Sequence, residues 1–150
     1  MPGLEDLYRE IILDHYRTPR NRGQLETPPA VVAEGHNPLC GDEIQVYLLV
    51  DDGMVADVKV SGQGCSISQS SASMMTQAVK GKPVAEARRI VRAFKAMMSL
   101  PDEDAADGAP VNLGDLEALQ GVVKFPVRIK CATLAWNTFT QCLDHSVSPA

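Results

Sequence analysis

The sequence predicts an α+β fold: a small antiparallel three-stranded sheet with helices packed on one face. Three observations predict it. Strand patterns gather in residues 30–60, and helical patterns take over from residue 66 onward. The two best strand patterns, 43–50 and 54–60, flank Asp51-Asp52-Gly53, a hairpin turn in which glycine supplies a positive φ. Beyond Ser66 the apolar spacing changes from two to three or four, the period of an amphipathic helix.

Each element follows from its own pattern. Residues 3–17 read as an amphipathic helix with Leu4, Leu7, Ile11 and Ile12 on one face, ended by Pro19 and Gly23. Residues 30–34 read as a short first strand. In the second, Ile44, Val46, Leu48 and Val50 alternate with Gln45, Tyr47 and Leu49. In the third, Ala56, Val58 and Val60 alternate with Val55, Asp57 and Lys59. Helices are predicted over 66–80, closed by Gly81, and over 84–99, where Val84, Ala87, Val91, Phe94 and Met98 form a stripe. Residues 101–115 are acidic and rich in small side chains, which predicts an exposed, mobile loop. A short helix is expected at 113–120 and a final one at 126–144, with Pro126 in its first turn.

At 150 residues the chain is expected to be one domain, 1–150, able to bury a core without disulfides. Charged residues make up 22% and hydrophobic ones 45%, as in ordinary soluble proteins. The net charge of -5 argues against a non-specific nucleic-acid binder. No apolar run reaches the roughly 18 residues of a membrane span. The N-terminus carries Glu5, Asp6 and Glu10 rather than a signal-peptide pattern, so a cytoplasmic location is expected. In a reducing compartment four cysteines point to metal binding or reactive thiols rather than disulfides.

Cys40 lies in the loop Asn37-Pro38-Leu39-Cys40-Gly41-Asp42, Cys65 between a strand end and a helix start, and Cys131 about one turn into the last helix. A helix N-terminus favours negative charge, which suits a thiolate at Cys65. Three thiols and the carboxylate of Asp42 make four donors, enough for a tetrahedral zinc or iron site. The competing reading is three cysteines acting as small hydrophobes; Gly- and Pro-flanked loops argue against it for Cys40 and Cys65. Cys142 follows Cys131 by eleven positions on one helix, about 16 Å along the axis, so both cannot bind one ion; Cys142 is read as a core thiol. His36, four residues before Cys40, is a further candidate ligand. His15 is assigned to packing or a partner, and His145 lies near the C-terminus.

The chain resembles the IscU-like (NifU N-terminal domain-like) iron–sulfur cluster assembly proteins, specifically their SufU-type branch. The resemblance covers nearly all of it. It is carried by residues 6–16 with Pro19-Arg20-Asn21, by the Cys40 loop, by Gly62-Gln63-Gly64-Cys65-Ser66-Ile67-Ser68, and by Arg128-Ile129-Lys130-Cys131-Ala132-Thr133-Leu134-Ala135-Trp136. IscU-type scaffolds place a His before the third cysteine, where this chain has Lys130, and they have a shorter stretch between the second and third cysteines. Both features resemble the SufU branch. The resemblance implies an IscU/SufE-like fold and a zinc-dependent sulfur acceptor. Its metal would be held by Cys40, Asp42, Cys65 and Cys131, and Cys40 would take persulfide sulfur from a PLP-dependent, SufS-like cysteine desulfurase and pass it to downstream cluster-assembly proteins. Two other readings stay open: a scaffold on which iron or a transient [2Fe–2S] cluster is assembled, and a structural zinc module.

Overall fold

The computed structural model describes residues 4–27, 29–38, 41–98 and 113–147; the side chains of 4–7 and 146–147 are left undescribed. Cys40 and most of the acidic segment, 101–112, lie outside these residues.

The sheet has the strand order β1 (Val31–Asn37), β2 (Asp42–Asp51), β3 (Met54–Gln63), antiparallel throughout. Asp52 and Gly53, with φ of 55° and 74°, turn β2 into β3 with the two positive φ values of a type I′ hairpin. Strand β1 runs to Asn37, beyond the expected 30–34, and pairs there with Asp42. The extension escapes a hydrophobicity reading because Glu34, Gly35, His36 and Asn37 interrupt apolar alternation while their backbones continue the ladder.

Ala33, Ile44, Val46, Leu48, Val58 and Val60 form the buried face of the sheet. Ala56 does not join them. The register passes from Leu49↔Asp57 to Val50↔Val55, so Ala56 is an unpaired bulge residue; it is exposed and Val55 is buried instead. One extra residue reverses the facing of everything beyond it.

The helices α1 (Leu4–Arg17), α2 (Ser66–Val79), α3 (Val84–Met97) and α4 (Pro126–Val147) follow the expected positions. Helix α4 lies across β1 and β2, α2 packs beside α4, and α1 rests on α2. On α4, Ala132, Ala135, Trp136, Phe139, Cys142 and Leu143 recur every three or four residues and are buried. The expected short helix at 113–120 is a 3₁₀ helix, Gly114–Lys124. Its buried Leu116, Leu119 and Val122 are spaced by three, the 3₁₀ repeat. Among the described residues no helix is long and apolar enough to cross a membrane.

His15 of α1 is fully buried, with Nδ1 2.8 Å from Ser73 Oγ and Nε2 3.4 Å from Asp115 Oδ2. The carboxylate can only accept, so Nε2 carries the proton and Ser73 donates to Nδ1. The network fastens α1 to α2 and to the 3₁₀ helix. Burial, reinforced by the positive charge of Arg20, holds the imidazole below its usual 6.5, against the opposing pull of Asp115 and Asp14. The folded state therefore prefers neutral His15. Its contribution to stability is complete above the unfolded value and is lost as pH falls through the lowered folded one. Thermal unfolding should show the melting temperature falling between pH 7 and about pH 5. His15→Gln should flatten that part of the profile; an unchanged profile would remove His15 from the account.

Candidate metal centre

The strand ends and helix starts meet at one end of the sheet. Asp42 opens β2, Cys65 is the N-cap of α2, and Cys131 sits in the second turn of α4. One donor atom from each of these three residues lies within 4.8 Å of the other two, the one such group among the described residues.

Asp42 and Cys131 are both 0% exposed, while Cys65 is partly exposed. Asp42 Oδ1 accepts from the Cys65 backbone N–H at 2.8 Å. Its other oxygen, Oδ2, is buried and without a hydrogen-bond partner among the described residues. A buried carboxylate oxygen left this way is costly unless something cationic meets it. Gly64 makes the approach possible, since a Cβ there would run into Asp42 Oδ1. Cys65 Sγ accepts from the Ser68 backbone N–H at 3.4 Å, so the thiol caps α2 with its sulfur. Cys131 Sγ receives the Asn37 side-chain amide at 3.7 Å and lies 3.9 Å from Val127 O. Two soft sulfur donors and one hard carboxylate, whose second oxygen Oδ2 is open, fit a zinc-type ion.

Of the sequence-derived candidates, the structure thus brings together Asp42, Cys65 and Cys131, and Cys40 lies outside the described residues. His36 is exposed on the strand face opposite Asn37 and is not in the group. Lys130 is exposed beside Cys131 on α4, and His145 is exposed near the end of that helix. Cys142 is a core thiol, as expected: its Sγ donates to Val46 O at 3.1 Å, and burial pushes the thiol up to about 11. Sequence reasoning missed Asn37; its place in the Cys40 loop was the signal. It also missed a cleft of about 1210 Å³ beside Cys65, lined in part by Tyr8, Ile12, Val122, Phe125 and Val127. Phe125 is 60% and Val127 55% exposed at its edge.

A family model described as the NifU-like N terminal domain matches residues 7–132, which contain all four sequence-derived donors. The chain belongs to the NifU-like N-terminal domain family. The chain is 50% identical to the zinc-dependent sulfurtransferase SufU of Bacillus subtilis, over 90% of this chain and 88% of that one. It is 39% identical to the iron-sulfur cluster assembly scaffold protein IscU of Streptococcus pyogenes, over 97% of this chain and 87% of the relative. In three dimensions it matches the N-terminal part of a NifU-like protein from Brucella abortus with a TM-score of 0.81 and 26% identity, over 99% of this chain and 100% of that one. That structural match spans the three-stranded sheet and its covering helices.

Proposed function

We propose that this protein is a zinc-dependent sulfur acceptor, folded as a single domain, that takes persulfide sulfur from a PLP-dependent cysteine desulfurase for iron–sulfur cluster assembly. The observation that carries the reading is the buried Asp42 carboxylate with an open Oδ2, gathered with the thiols of Cys65 and Cys131. Its resemblance to the Bacillus subtilis sulfurtransferase supports it. Cys40, two residues before Asp42 in the chain, completes the donor set.

A bound zinc keeps thiols deprotonated near neutral pH and shields them from oxidation. The residues divide the remaining work. Asp42 anchors one edge of the centre through the Cys65 N–H. Cys131 is held inside the fold and cannot swing out to meet a partner. Cys40, followed in the chain by Gly41, is assigned the transfer. Its thiolate attacks the outer sulfur of the desulfurase persulfide; a new S–S bond forms, the old one breaks, and the desulfurase leaves as its own thiolate. Downstream cluster-assembly proteins would then take the sulfur.

The scaffold reading, with iron or a [2Fe–2S] unit on the same donors, is favoured by the relatives named as scaffolds. Lys130, standing before Cys131 where the scaffold pattern has His, weighs against it. Metal analysis of purified protein, with desulfurase turnover of cysteine measured with and without it, separates the two. The acceptor should carry about one zinc, as a four-donor site holds, and should stimulate turnover. Iron with labile sulfide and no stimulation would overturn it.

A further inference from the structure

We infer that Asn37 is a positioning residue of the metal centre, its side-chain amide donating to the Cys131 thiolate and tying the end of β1 to α4. The inference rests on the metal reading above. Asn37 is the last residue of β1, only 7% exposed, and pairs with Asp42 across the ladder. The facing ends of β1 and β2 therefore each reach a different cysteine. Asp42 Oδ1 takes the Cys65 N–H at 2.8 Å, and Asn37 Nδ2 gives to Cys131 Sγ at 3.7 Å. Each strand end is thus fastened to the start of a different helix.

Chemistry sharpens the assignment. A metal needs Cys131 as a thiolate, which can only accept hydrogen bonds. Val127 O, 3.9 Å away, is itself an acceptor and offers such a sulfur nothing. The Asn37 amide is a donor. Cys131 is removed from water, so a fixed amide dipole takes the place of hydration for its negative charge. Donors of this kind orient metal ligands, and losing one costs about 10–100-fold in metal affinity. Leucine has the branched skeleton of asparagine, with more bulk and no donor; alanine removes the donor without adding bulk.

The test uses the intact chain loaded with cobalt(II) in place of zinc, as wild type, Asn37→Leu and Asn37→Ala. The thiolate-to-cobalt charge-transfer band and the zinc affinity, from chelator competition, are read on each. A sulfur that loses its N–H donor has higher-lying lone pairs. The band should therefore move to longer wavelength in both variants, and zinc affinity should fall by about 10–100-fold. An unmoved band in a folded, cobalt-loaded variant overturns the inference even if affinity falls, because Asn37 would then only pack the strand end. Complete loss of cobalt binding by both variants, with wild-type circular dichroism, also overturns it, since the ligands themselves are intact. A wild type that shows no cobalt–thiolate band defeats the metal reading first and this inference with it. Should Asn37→Leu fail to fold, Asn37→Ala decides alone.

Discussion

Asp42→Ala or Cys131→Ser should leave the protein unable to retain zinc against a chelator, with affinity reduced by more than about 100-fold, while Cys142→Ser retains a full complement. Asp42 is fully buried with one oxygen already committed to the Cys65 N–H and the other open. Alanine removes both the hydrogen bond and the hard donor. Asp42→Asn isolates the second loss: its carbonyl oxygen can still take the Cys65 N–H, but the negative charge is gone. It should fold normally and still lose most of its zinc. Cys142 hydrogen-bonds Val46 O deep in the core, about 16 Å along α4 from Cys131, and has no route to the site. Metal analysis after dialysis against chelator reads all four variants. Zinc retained by Cys131→Ser but lost from Cys142→Ser would reverse the ligand assignment.

Trp136→Ala should cost about 3–5 kcal/mol of folding stability, measured by denaturant unfolding followed by circular dichroism. Trp136 is fully buried between α3 and α4. Its ring stacks on Phe94 with centroids 4.2 Å apart and planes 10° from parallel. Its Nε1–H donates to Ser71 Oγ at 3.0 Å, and Ser71 in turn donates to Ala132 O at 2.6 Å. Alanine opens a cavity at the junction of α2, α3 and α4 and strips Ser71 of a donor. Trp136→Phe keeps most of the volume and should cost clearly less. A loss below about 1 kcal/mol for Trp136→Ala would show that the core relaxes around the gap.

Most of the fold was legible because its elements keep their hydrophobic periods. The stripe on α3, the Asp52-Gly53 turn and the buried line from Ala132 to Leu143 all follow from local spacing. The bulge at Ala56 was not legible. It arises from where β2 and β3 pair, and a strand's own alternation carries no record of a residue skipped by its neighbour. The 3₁₀ geometry of Gly114–Lys124 was hidden for a different reason: a spacing of three fits the first turns of either helix type. At the site, Cys65 at a helix start and Cys131 early in α4 were readable as positions, and their convergence with Asp42 is a product of tertiary packing. Partners distant in sequence escaped entirely. His15 meets Ser73 and Asp115, and Asn37 meets Cys131, across gaps that no local pattern spans.

The central claim is that the chain accepts sulfur, and one measurement addresses it directly. The zinc-loaded protein is incubated with a cysteine desulfurase and cysteine, thiols and persulfides are trapped by alkylation, and each cysteine-containing peptide is weighed by mass spectrometry. The account predicts one added sulfur on Cys40, none on Cys142, and no sulfur on the Cys40→Ala variant. Persulfide confined to Cys65 or Cys131, or no persulfide at all on a protein that instead carries a transferable [2Fe–2S] cluster, would contradict it.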